Sequence, residues 1–296
     1  MNFQGTGTTI MQISPQGTVS QFALINAGSL PGPCPGGVGL TTALAVLRNG
    51  WVIVGSLPTG DGTSTTAQAG CLLILNSHGN VVETIAGGPI NGPWDMTALD
   101  LGDLAILFVT DVLKGTVAAT PDPTMPGNVV NNGNVVRLDL FTPPFGKPVL
   151  IAETVIASGF AARTDPAALV IGPTGVSLDN DGDTLYVADS LNNRIAAIRD
   201  PLFRFSSAGT GQTVSQGGAL NDPLGMTLAP NGDIITANGN DGNLVETSPW
   251  GTQKATKLVD DTGAPPGAGT LFGLVAVPNK GVYFVDDGSN SLNLLH

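Results

Sequence analysis

The sequence predicts an all-β fold, a β-propeller of four-stranded blades, on three observations. The 296 residues include 41 Gly and 22 Pro at regular turn-like positions, and long Glu/Lys-rich stretches typical of helices are absent. The β-rich segments alternate apolar and polar residues, as half-buried strands do. The same order of strands and turns returns about every fifty residues, a period typical of propeller blades.

Three copies of the repeat are clear: PTGVSLDNDGDTLYVADSLNNRIAAI (173–198), PLGMTLAPNGDIITANGNDGNLVETS (223–248) and LFGLVAVPNKGVYFVDDGSNSLNLLH (271–296). Each has Gly at its third residue, a first strand, a polar hairpin turn, and a second strand that ends in Asp or Asn. A further turn and a third strand complete the match. A β-sandwich does not repeat internally at this period, so the repeat favours blades arranged around an axis.

Weaker copies lie upstream at 39–58 and 93–115, and residues 1–25 match only the outer two strands of a unit. We expect one domain over residues 1–296, with complete blades starting near residues 37, 92, 172, 222 and 271. Six blades are expected, the first incomplete, its inner strands lying upstream of Met1 or never present. Five closed blades, with residues 8–24 completing the last sheet, are the alternative.

The segment YVADSLNNRI (186–195) resembles the signature of the NHL repeat, a blade type found in many six-bladed propellers. The resemblance is strong for 173–198, moderate for 223–248 and degenerate in the other blades. It implies that the Asp and Asn side chains bond to backbone groups of the turn between the second and third strands. It also implies that the Arg packs across that turn.

The charge balance narrows the class of partner. Lys and Arg total 11 against 23 Asp and Glu, a net charge of −12, which repels nucleic acid and anionic lipid. We therefore expect no nucleic-acid or membrane partner. We also expect a small-molecule substrate and a monomer. The composition favours an extracytoplasmic protein, secreted or periplasmic, although MNFQGTGTTI is not a leader peptide. Cys34 and Cys71 form either a disulfide or two small buried residues.

A propeller brings one set of polar residues to a common rim. The residues that follow each second strand are Ser56, Asp111, Asp189, Asn238 and Asp286, with Asn2 as their equivalent in the half blade. The loops into the inner strands add Asn91, Asp95, Asn221 and Asp222. Hard oxygen ligands from several blades suit Ca²⁺. Alternatively, each Asp satisfies only its own turn.

Asp95 is the strongest candidate, because the clear blades have Gly175, Gly225 and Gly273 at its position. A carboxylate near the axis is costly unless it is paired or binds a cation. We predict Asp95 as the catalytic residue, with Trp94 and Asn91 binding substrate. The predicted calcium ligands are Asp95, Asp111, Asp189, Asn238 and Asp286. An ordinary core Trp is the alternative for Trp94.

Other chemistry is excluded by residue type. The only histidines are His78, in an outer hairpin, and His296, so an imidazole-based triad is not expected. Neither GxSxG nor a phosphate-binding GxxxxGK[ST] motif occurs. DNDGD (179–183) lacks the distal Glu of an EF-hand and is interpreted as a hairpin turn. Catalysis would therefore use carboxylates and a metal ion.

The chain also resembles, more distantly, the six-bladed gluconolactonase and paraoxonase propellers. That resemblance implies a calcium-dependent hydrolase that opens lactones or small esters in the channel, such as acyl-homoserine or sugar lactones. The motifs of those families are not present, nor are the histidines of paraoxonase. A non-catalytic extracellular NHL binding module, using the rim or the insertion at 116–134, is one alternative. A lyase resembling the streptogramin-inactivating propellers is another, although its His and Glu are missing here.

Overall fold

The structure, a computed structural model, describes residues 4–114 and 129–296. Asn2 and most of the insertion at 116–134 lie outside these ranges. The described residues form 22 strands and three short 3-10 helices, with no α-helix. None of them forms a helix of the length and apolar character that crossing a bilayer requires. The all-β expectation is confirmed.

The first strands form one pair and two larger sheets. The pair is β1 (Thr9–Ile13) with β2 (Val19–Leu24). Blade 1 is β3 (Thr41–Val46), β4 (Val52–Ser56), β5 (Cys71–Leu75) and β6 (Val81–Ile85). Blade 2 is β7 (Pro93–Asp100), β8 (Leu104–Asp111), β9 (Val130–Phe141), β10 (Val149–Asp165) and the short β11 (Leu169–Ile171).

The remaining blades follow the clear repeats. Blade 3 is β12 (Pro173–Leu178), β13 (Thr184–Asp189), β14 (Arg194–Arg199) and β15 (Gln212–Gln216). Blade 4 is β16 (Pro223–Leu228), β17 (Ile234–Asn238), β18 (Asn243–Thr247) and β19 (Gln253–Leu258). Blade 5 has three strands, β20 (Leu271–Val277), β21 (Gly281–Asp286) and β22 (Ser291–Leu295). All sheets are antiparallel meanders in sequence order.

The propeller has five blades, the number given by the five-bladed alternative and not the six that were expected. The other part of that alternative, in which residues 8–24 complete the last sheet, is wrong. The innermost strands pack in series, β3 on β7, β7 on β12, β12 on β16 and β16 on β20. The pair β1–β2 stays separate and does not join the sheet of blade 5. Its apolar residues Ile10, Phe22 and Ala23 pack on blade 1, on the face opposite blade 2. This side-chain packing holds β1–β2 in place without inner strands of its own.

A common register places the predicted rim. In every blade the first residue of the inner strand pairs with the last residue of the second strand, and a register shift follows at once. The pairs are Thr41–Ser56, Pro93–Asp111, Pro173–Asp189, Pro223–Asn238 and Leu271–Asp286. Ser56, Asp111, Asp189, Asn238 and Asp286 therefore occupy equivalent positions around one rim, as predicted from the repeat.

The two cysteines are bonded. The Cys34–Cys71 disulfide ties the loop before blade 1 to β5, and Cys71 is fully buried. Between the blades the core is made of branched and aromatic side chains from facing sheets, among them Leu107 and Leu138 of blade 2. Close packing of this kind fixes each blade relative to its neighbour.

Candidate functional site

A cavity of about 320 Å³ lies on the propeller axis. Its apolar wall includes Leu40, Trp94, Leu224 and Phe272, which come from the starts of four inner strands. The rings of Trp94 and Phe272 lie 6.5 Å apart between centroids, tilted by 55°. The size and the apolar lining suit a small organic molecule. Trp94, predicted to bind substrate, thus lines this cavity.

Asp95 lines the same cavity, at the position that Gly175, Gly225 and Gly273 occupy in other blades. At Gly225 a Cβ atom would lie 1.8 Å from the carbonyl oxygen of Phe272, so that blade has no room for a side chain. Blade 2 has a side chain at this position, and its carboxylate bonds across to blade 3. Asp95 Oδ2 accepts a hydrogen bond from the backbone N–H of Val176 at 3.0 Å.

Burial and hydrogen bonding have opposite effects on the pKa of the Asp95 carboxyl. Burial raises the pKa of Asp95 to about 7, and the N–H donors of Val176 and Met96 lower it only in part. A carboxyl with a pKa near neutrality can take up and release a proton in the same catalytic cycle. Its neighbour Thr110 links blade 2 to blade 3, because the Thr110 hydroxyl donates a hydrogen bond to the carbonyl of Thr174 at 2.6 Å.

The rim side chains lie on one face, but they form hydrogen bonds within their own blades. Asp189 accepts hydrogen bonds from Arg194 and Asn192. Asn238 accepts from the backbone N–H of Asn221, and Asp286 accepts from Ser289. The hydroxyl of Ser56 bonds within the loop before β3. The alternative in which each side chain satisfies its own turn describes these contacts.

The described residues do not fit a calcium ion. Ca²⁺ takes about six to eight oxygen ligands. No three Asp, Glu, His or Cys side chains are grouped as a metal site within residues 4–114 and 129–296. Of the predicted ligands Asp95, Asp111, Asp189, Asn238 and Asp286, only Asp95 lines the cavity. Among the described residues, the other carboxylate that lines the cavity belongs to the exposed Asp287. We therefore derive no chemistry from an ion at this rim.

Asn91 does not line the cavity, and its contact is with the rim. The backbone N–H groups of Asn91 and Gly92 donate to Asp111 Oδ2 at 2.6 and 2.7 Å. Asn91 is therefore placed as part of the loop that Asp111 holds, not as a wall of the cavity. DNDGD forms the predicted hairpin turn, in which Asp179 Oδ1 accepts from the N–H of Asp183.

Asp111 shows a feature that sequence reasoning missed. Its side chain is fully buried, and Oδ1 has no hydrogen-bond partner among the described residues. Its cross-strand neighbour is Asn134, whose Oδ1 is also buried and unpaired. In blade 3 the corresponding pair is Asp189 and Arg194. Because blade 2 lacks that cation, burial raises the pKa of Asp111 to about 7.

We expect Asp111→Asn to raise the free energy of unfolding at pH 8 by about 1–3 kcal/mol. The pKa of Asp111 is about 7 in the folded chain and 3.8 ordinarily. The folded form therefore holds a proton that the unfolded form has lost between these values, and stability falls as pH rises through that window. The Asn oxygen can still accept from Asn91 and Gly92, while its N–H₂ faces Asn134.

Urea unfolding at pH 5 and pH 8 measures this effect. The exposed Asp103→Asn in the same blade is the control and should change stability by less than about 0.5 kcal/mol. A slope against pH will persist in Asp111→Asn, because burial also raises the pKa values of Asp95 and Asp222 to about 7. Equal or lower stability of Asp111→Asn at pH 8 would contradict the assignment.

No protein-family model and no curated protein matches the sequence. Solved structures do match its fold. A luciferin-regenerating enzyme superposes with a TM-score of 0.59 at 14% identity, over 96% of this chain and 78% of that one. A gluconolactonase from Xanthomonas campestris gives 0.56 at 15%, over 95% and 76%. Virginiamycin B lyase from Staphylococcus aureus, solved with quinupristin, gives 0.52 at 14%, over 97% and 73%. The chain is thus a β-propeller similar in fold to these enzymes.

Proposed function

We propose that this propeller is a hydrolase that opens lactones or small esters in its central cavity, with Asp95 as the general base. The observation that carries the proposal is a carboxyl with a pKa of about 7 on the wall of a largely apolar cavity. Such a pKa is suited to proton transfer at neutral pH, and perturbed carboxyls in clefts favour a functional role. The fold shared with a gluconolactonase supports the same reaction class.

The proposed substrate is a neutral ring ester. With a net charge of −12, the protein disfavours anionic ligands. Trp94, Phe272 and Leu224 offer an apolar wall for a ring or acyl chain. Acyl-homoserine lactones and sugar lactones have this chemistry. The Cys34–Cys71 disulfide supports the further proposal of an extracytoplasmic location, because disulfides persist in oxidising compartments.

In the proposed reaction the Asp95 carboxylate removes a proton from a water molecule while the water oxygen attacks the ester carbonyl. The new bond joins that oxygen to the carbonyl carbon, and the ring C–O bond breaks. Asp95 then returns the proton to the departing alkoxide, so no proton is gained or lost at the residue. Thr41 lines the cavity, and its hydroxyl has no partner among the described residues, which leaves it free to donate to the substrate carbonyl.

The proposal is tested by measuring hydrolysis of acyl-homoserine lactones, sugar lactones and aryl esters from pH 5 to pH 9. Each assay is run with EDTA and with added CaCl₂, because calcium dependence is a separate proposal that the described donors do not support. We expect kcat/KM to rise with pH and to level off above a midpoint near 7, the pKa of Asp95. Absence of turnover in every arm would refute the hydrolase.

A non-catalytic binding module is the second candidate, favoured by the engagement of the rim side chains in their own turns. It predicts that the same lactones bind, detected by calorimetry, without being opened. The lyase alternative has less support, because neither His78 nor His296 lines the cavity. The insertion proposed as a partner site falls largely on residues 115–128, outside the described chain.

A further inference from the structure

A β-hairpin of blade 2 reaches over the rim end of the central cavity. It is made by the end of β10 and by β11, which pair antiparallel. We call its residues 163–171 the rim hairpin. Residues 168–171 belong to one apolar cluster with residues of all five blades. Those residues are Leu57, Val112, Leu191, Leu224 and Phe272, in blade order. Each of the first three follows the second strand of its blade, so the hairpin packs on the rim side of the axis.

Polar contacts hold the tip of the rim hairpin in place. Asp165 Oδ1 accepts hydrogen bonds from the backbone N–H groups of Ala167 and Ala168 at 2.8 and 3.1 Å. Asp165 Oδ2 also lies 2.8 Å from a terminal nitrogen of Arg163. The side-chain amide nitrogen of Gln4 donates to the carbonyl of Ala167 at 2.5 Å. A wall that determines the size of a ligand has to be fixed by supporting contacts of this kind.

The cavity is layered along the axis below this tip. The first residue of each inner strand is at the rim, where it pairs with the last residue of the second strand. The second residues line the cavity as its apolar wall and are Trp94, Leu224 and Phe272. The third residues, about 3.3 Å further along each strand, are Asp95, Gly225 and Gly273. Ala167 and Ala168 line the cavity from the hairpin. The apolar wall therefore lies between the level of Asp95 and the hairpin tip.

The side chains between Asp95 and the tip favour an apolar chain. Ala167 and Ala168 carry only methyl groups, and the wall beside them is formed by aromatic and aliphatic side chains. A hydroxyl group placed here would lose its hydrogen bonds to water without gaining a partner from these side chains. Each methylene that leaves water for such a wall strengthens binding by about 4-fold. This layer therefore suits an unbranched alkyl or acyl chain better than the hydroxylated ring of a sugar lactone.

We propose that the rim hairpin sets the length of the apolar chain that the cavity accepts, with Ala167 and Ala168 as the residues that determine this specificity. A ligand whose ester lies beside Asp95 extends its chain along Trp94 and Phe272 and ends against the two methyl groups. Affinity rises with each methylene until the chain reaches the tip. It falls for longer chains, because they must displace a hairpin that packs with all five blades. The inference rests on the proposed hydrolase for the position of the ester, but chain length is tested by binding alone.

Isothermal titration calorimetry with 2-alkylcyclopentanones of increasing chain length tests the proposal. These ketones have the ring and the chain of an alkyl lactone but no ester bond that can be opened. We expect the affinity of the wild-type chain to rise about 4-fold per methylene to a maximum and then to fall. Ala167→Leu should move the maximum to a shorter chain and weaken binding of the wild-type optimum by at least about 10-fold. Ala167→Gly should move the maximum to a longer chain.

The matched control is Ala255→Leu, the same substitution at an exposed alanine of β19 that does not line the cavity. It should leave the maximum unchanged. Ala167 is itself exposed, so a larger side chain there does not disturb the core, and circular dichroism checks the fold of each variant. The kcat/KM values for the corresponding alkyl lactones give a second readout, with the same maximum and the same shift.

The results separate this inference from the proposed hydrolase. If no lactone is opened but the ketones show the maximum and its shift in Ala167→Leu, the hydrolase fails and the role of the rim hairpin stands. An affinity that continues to rise with chain length overturns the inference. So does a maximum that Ala167→Leu leaves in place, or the absence of binding by every ketone.

Discussion

Asp95→Asn is expected to lower kcat for lactone opening by about 10²–10⁴-fold, the usual contribution of a positioned general base. An amide cannot accept the proton of the attacking water. The fold should survive, because the amide oxygen can still accept from the N–H of Val176 or Met96. KM should change little, since the apolar wall formed by Trp94 and Phe272 is untouched. Steady-state kinetics on the best substrate of the panel give both constants.

Asp111→Asn is the matched control for this loss. Asp111 is also an acid whose pKa burial raises to about 7, and it receives the same substitution, but it does not line the cavity. We expect it to retain activity. If activity depended on buried carboxyl groups in general and not on the one in the cavity, both variants would lose activity. The rise of kcat/KM with pH should also disappear in any residual activity of Asp95→Asn, and a profile with an unchanged midpoint would assign the base to another residue.

The repeat was sufficient to predict the blades and the rim, because both follow from local patterns. A glycine near the start of the inner strand in the three clear repeats, and a polar residue at the end of each second strand, recur at fixed spacing. The structure aligns them through one register. The same comparison identified Asp95, because it places a carboxyl at the position where the three clear repeats have glycine. Its contact with Val176, 81 residues along the chain, required only that blades 2 and 3 be neighbours.

The number of blades could not be predicted in this way. It depends on where β1–β2 packs, and that is decided by side-chain contacts between Ile10, Phe22 and blade 1, which no repeat encodes. The interaction partners of the rim carboxylates could not be predicted from the repeat either. Whether Asp111 has a cationic partner depends on the residue that β9 places opposite it, and the β8–β9 connection is too long for the register to be deduced.

Arg194→Met is expected to lower the free energy of unfolding by about 3–5 kcal/mol, the cost of removing one partner from a buried ion pair. Asp189 is fully buried, and the Arg194 guanidinium contacts it through Nε at 2.9 Å and through a terminal nitrogen at 2.8 Å. The same guanidinium donates to Thr213 Oγ1 and to the carbonyl of Thr210. Its loss therefore leaves the buried Asp189 carboxylate with no cation, and with the amide of Asn192 as its remaining side-chain donor among the described residues.

A double-variant cycle with Asp189→Asn separates the pair from the other contacts of Arg194. Urea unfolding of the two single variants and the double variant should give a coupling energy of at least about 2 kcal/mol. Arg199→Met, an exposed arginine at the end of the same strand, should cost less than about 1 kcal/mol. A coupling near zero would mean that Asp189 does not depend on Arg194, and its carboxylate would again be a candidate ligand for an ion. A strong coupling places Asp189 in its turn and leaves Asp95 as the acid on which the chemistry of the cavity depends.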